Sequence, residues 1–67
     1  MREYVVGYYN KGATKEDFVI LATMDSINVA MFVRDSYNEG YERNGWDLRT
    51  EILACHEVPK NHRFANN

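Results

Sequence analysis

At 67 residues the chain has room for one domain and one small core, a size at which the area buried barely offsets the entropy of ordering the backbone. A single cysteine, Cys55, excludes an intrachain disulfide and fits a reducing compartment, and a formal net charge of −2 with both signs scattered leaves no basic patch for nucleic acid. No apolar run approaches the ~20 residues of a membrane span, and no signal-peptide pattern follows Met1. The expectation is one soluble, cytoplasmic domain over residues 1–67 that gains its reinforcement from oligomerisation or a protein partner.

Glu3 to Tyr9 is β-branched and aromatic and predicts a strand. Asn10 to Lys15 is polar with a glycine and reads as a hairpin loop, and Asp17 to Ala22 as the second strand. Thr23 to Asn44 then has helical periodicity, with Thr23 or Asp25 as the cap and Asn44-Gly45 as the stop. Ile27, Ala30, Val33, Tyr37 and Tyr41 share one arc, with Val29 at its edge, and Asn28, Asp35, Glu39, Glu42 and Arg43 lie opposite. Phe32 falls among those polar positions. Trp46 to Val58 alternates and predicts a long third strand with Trp46 as an anchor between sheet and helix. Pro59 stops it, leaving 59–67 as a loose tail.

The order strand, strand, helix, strand defines an α+β domain, ββαβ. Its simplest form is a three-stranded sheet of order 2-1-3 with one helix packed on one face. One helix covers one face, so the other is expected to stay open, with Val5, Tyr9, Val19, Leu21 and Leu53 as a homodimer or partner surface. The opposite registry is the alternative, as is a chain terminus folding over that face. A second surface is the acidic side of the helix, Phe32 with Asp35 and Glu39.

Little in the chain carries chemistry. Cys55-His56-Glu57 and His62 are the only cluster of metal-ligand types, and neighbouring residues of a strand point to opposite faces. His56-Glu57 lacks a histidine at position 60, and Pro59 forbids the helix that an HExxH zinc motif needs. Gly12-Ala13-Thr14-Lys15 lacks the first glycine of a phosphate loop. No catalytic residue, metal ligand or cofactor is expected.

Thr23-x-Asp25 at the helix start, Gly45-Trp46 entering the last strand and Cys55 shortly before Pro59-Lys60, in a chain of this order and length, resemble the small phage-encoded inhibitors of bacterial RNA polymerase. The resemblance implies a non-catalytic module that occupies a host surface. In that family arginines of the last strand make the polymerase contact. Arg49 is the arginine available here, out of register and with Glu51 two residues on, so no binding residue transfers. The functional expectation is a non-enzymatic protein-binding module, a phage or mobile-element protein that inhibits or modulates a host bacterial complex. The alternatives are a small structural homodimer and an accessory subunit of an enzyme.

Overall fold

The computed structural model describes residues 2–11 and 16–65. Strand β1 (Tyr4–Lys11) and strand β2 (Glu16–Met24) form an antiparallel pair, and helix α1 (Ile27–Arg43) leads to the short strand β3 (Glu51–Ala54). A 3-10 turn (Cys55–Glu57) and strand β4 (His62–Phe64) complete a mixed four-stranded sheet of order β3-β1-β2-β4. The expected 2-1-3 arrangement is its central part. β2 and β3 both run antiparallel to β1 and therefore parallel to each other.

The fourth strand corrects the expectation of a loose tail over 59–67. β4 pairs parallel with β2: Phe18 N–H donates to Asn61 C=O (3.0 Å) and Ala65 N–H to Ile20 C=O (2.9 Å). β3 and β4 lie at opposite edges, so the segment 55–61 must cross under β1 and β2, a lateral span of three strand spacings or ~14 Å. That crossing covers the face expected to be open. Val5, Phe18 and Ile20 are buried there against Tyr9, Leu53, Cys55 and Val58, with Tyr9 and Phe18 edge to face at 5.0 Å. The helix-side core holds Val6, Met24 and Ala30 with Tyr4, Ala22, Val33 and Ile52.

The strand register breaks between Val6 and Gly7, where Val6 pairs with Ala22 but Gly7 with Ile20. The extra residue, Leu21, makes a bulge that reverses which face each later side chain of β2 meets. Val19, opposite Tyr8, therefore shares a face with Tyr4 and Val6, not with Val5. At Gly7 a methyl group would strike the Val19 carbonyl oxygen and come within 2.7 Å of the Phe18 ring, so only glycine fits the bulge.

Helix α1 begins later than its periodicity predicts, because Thr23 is still in β2. Ser26, not Thr23 or Asp25, is the cap: its Oγ accepts from Val29 N–H at 3.3 Å. Asp25 instead accepts from Glu3 N–H (3.2 Å), tying the helix approach to the start of β1. The end of the helix is as expected. Gly45, at φ 71°, sits in the left-handed region; its N–H donates to Glu42 C=O and Trp46 N–H to Tyr41 C=O (2.8 Å). This double closure brings the residue after the glycine onto the last helical turn. Trp46 stacks on Tyr41, with ring centres 5.9 Å apart and planes 29° apart. It is 60% exposed and is not the core anchor its alternation implies. The expected strand 46–58 shrinks to Glu51–Ala54 because the helix stop claims its first residues and the 3-10 turn its last.

Candidate protein-binding surface

The outward side of α1 carries the most exposed of the large apolar side chains. Phe32 is 73% exposed, in the second turn of the helix, with Asn28, Asp35 and Glu39 exposed around it. Val29, Met31 and Ile27 are also exposed, so the first half of the helix presents an apolar area. Ile27 thus leaves the buried arc in which its spacing places it. The cause is the late helix start: the core contact of the first turn passes to Met24, which precedes the helix.

Charge around Phe32 is neutralised within the chain. Arg43 Nη2 donates to Glu39 Oε1 at 2.9 Å, one helical turn apart, and Arg34 Nε to Asp35 Oδ1 at 2.9 Å. The Arg43–Glu39 pair is largely solvated and the Arg34–Asp35 pair partly so, and both contribute little to stability. Their effect is local: a partner meeting Phe32 meets a polar rim without a strong field of one sign.

A second concavity lies where the helix ends. Asn38, Glu42, Trp46, Asp47, Leu48 and Arg49 line an open groove of about 310 Å³. Trp46 is placed there by the glycine closure and the Tyr41 ring. Among the described residues, Glu42, Asp47 and Arg49 take part in no ion pair.

The residues singled out from sequence do not form one surface. Phe32, Asp35 and Glu39 lie together on α1, and Arg49 lines the groove. Val5 and Val19 are fully buried, Tyr9 and Leu53 half-buried beneath the 55–61 crossing, and Leu21 half-buried at the bulge. Of the set expected as a homodimer surface, Val5, Tyr9 and Leu53 pack within the chain on that face, and Val19 is buried on the other. Trp46, Glu42 and Asp47 are brought together by the fold and do not stand out as a group in the sequence. Gly45-Trp46 after a helix with Tyr41 four residues before the glycine was the available signal.

Among the described residues no group of three or more His, Cys, Asp or Glu could hold a metal ion, and no helix is long and apolar enough to cross a membrane. Compared with protein-family models, characterised proteins and solved structures, the chain matches none.

Proposed function

We propose that this chain is a non-enzymatic protein-binding module whose contact surface is the outward side of α1 centred on Phe32. It acts by occupying the surface of a larger complex, in the manner that a phage-like inhibitor or modulator of a host bacterial assembly would. The observation that carries the reading is Phe32 itself. A small domain with little core leaves a phenylalanine ring 73% exposed inside a self-neutralised polar rim. Burying a phenylalanine in a partner contributes about 1.5–3 kcal/mol, and such desolvated aromatic anchors dominate interface energies.

The test is affinity capture from a bacterial lysate with the native chain and Phe32→Ala in parallel, alongside thermal unfolding of both. Phe32→Ala should melt as the native chain does and bind its captured partner at least tenfold more weakly, about 1.4 kcal/mol. Equal retention of every captured protein by both chains overturns the assignment of the surface. Loss of folding would place Phe32 in the core.

A further inference from the structure

The groove at the end of α1 has the composition of a receptor for a planar cation. Trp46 gives one ring face to Tyr41, while 60% of the residue stays exposed. The residue is held through its backbone, since the main-chain N–H of Trp46 donates to Tyr41 C=O and Gly45 before it occupies the left-handed region. A platform fixed in this way loses little freedom when a ligand stacks on it. The groove of about 310 Å³ beside it is lined by two carboxylates, Glu42 and Asp47, against one guanidinium, Arg49. The other acidic residues of the helix, Asp35 and Glu39, have an arginine partner at 2.9 Å; Glu42 and Asp47 do not. A cation over an indole face is attracted by the ring's electron density, and Trp is the best of the aromatic side chains at this. A guanidinium adds flat stacking and forked hydrogen bonds to carboxylates, which an ammonium cannot match.

We infer that this groove binds an arginine side chain of a partner protein, stacked on Trp46 and bonded to Glu42 and Asp47. The source of the arginine rests on the protein-binding reading; the groove does not depend on Phe32 and is tested without it. Arg49 is a like charge lining the same groove and limits its affinity for a bare cation.

Trp46 is the chain's single tryptophan, so its fluorescence reports the site directly. The probe is a blocked glycine-arginine-glycine tripeptide, titrated beside the same tripeptide with citrulline or lysine in place of arginine. The arginine peptide should give a saturable change that weakens as salt rises from ~0.02 to ~0.3 M. Citrulline, which keeps the shape and loses the charge, should bind at least tenfold more weakly, and lysine at least threefold. Glu42→Gln and Asp47→Asn should each weaken binding threefold or more with unchanged melting, and Arg49→Gln should tighten it. Equal binding of citrulline or lysine, indifference to both carboxylate variants, weaker binding by Arg49→Gln, or no saturable change each overturns the inference. Failure here leaves the Phe32 capture experiment untouched, and failure there leaves this titration untouched.

Discussion

Asn38 holds Thr50 by both of its backbone groups: Asn38 Oδ1 accepts from Thr50 N–H at 2.7 Å, and Asn38 Nδ2 donates to Thr50 C=O at 3.2 Å. The side-chain amide does what a neighbouring strand would do. Cys55 N–H donates to Glu3 C=O, so Cys55, Leu53 and Glu51 bond inward to β1, and alternation turns Thr50, Ile52 and Ala54 toward the open edge. Asn38 closes that edge at Thr50, and Glu57 Oε1 closes it at Ala54 by accepting its N–H at 2.9 Å. Unpaired strand edges invite pairing with other chains, and here two side chains blunt the edge at both ends of β3.

Asn38→Ala leaves two backbone groups of a buried residue without partners and should cost about 1–3 kcal/mol. Asn38→Asp keeps an acceptor for Thr50 N–H but sets a carboxylate oxygen against its carbonyl, so it should not restore stability. Denaturant unfolding of the two variants checks this. A loss under ~0.5 kcal/mol for the alanine would mean that water satisfies Thr50 equally well.

The glycines of the helix and its end should respond with opposite signs. A methyl group at Gly40 meets nothing within 4 Å, so Gly40→Ala should stabilise by about 0.5–1 kcal/mol through helix propensity. Gly45, at φ 71°, is in the region where a side chain is strained, so Gly45→Ala should cost about 1 kcal/mol. Thermal unfolding separates them, and two changes of the same sign would contradict the helix closure described.

Gly7→Ala is the severe case. The added methyl meets a backbone carbonyl oxygen and a buried ring at once, and neither can move freely in the centre of the sheet. The cost should exceed about 3 kcal/mol, at the upper end of overpacking effects. A variant that folds normally would show that the bulge at Val6/Gly7 relaxes.

Several of these features were readable in the sequence and others were not, for physical reasons. The hairpin strands, the helix and the Asn44-Gly45 stop follow from local propensity and patterning, and they are present. Helix entry is ambiguous in the sequence because Thr23, Asp25 and Ser26 are all competent caps; pairing with Val5 removes Thr23, the bond from Glu3 N–H occupies Asp25, and Ser26 is left. Trp46 to Val58 alternates throughout, but alternation does not say where an edge strand loses its partner; β1 offers partners only to Glu51–Ala54. The fold over 12–15, read as a hairpin loop with Asn10 and Lys11, lies outside the described residues apart from those two, which belong to β1. Phe32 was legible because one aromatic among polar helix positions breaks a pattern. The Trp46 groove was not, since it is made where a helix end meets a non-repetitive segment.

The last prediction concerns the tail. Polar and short, residues 59–67 show no strand pattern, yet β4 supplies the second neighbour of β2, parallel to it, and closes the far end of the 55–61 crossing. Ending the chain after Asn61 removes the bond from Ala65 N–H to Ile20 C=O and the ion pair of Arg63 Nε with Asp17 Oδ2 at 3.0 Å. It also strips cover from the edge beside Phe18 and Ile20, both buried in the far-face core. Arg63→Ala alone should cost only about 0.5–1 kcal/mol, because the pair is half solvated on the arginine side. The truncation should cost about 2–3 kcal/mol, which in a domain of this size lowers the melting temperature by roughly 10–20 °C. It should also promote self-association through the newly opened edge of β2, measurable by sedimentation. A truncated chain that melts with the full-length one and stays monomeric would remove β4 from the fold. It would leave the far face held by the 55–61 crossing alone.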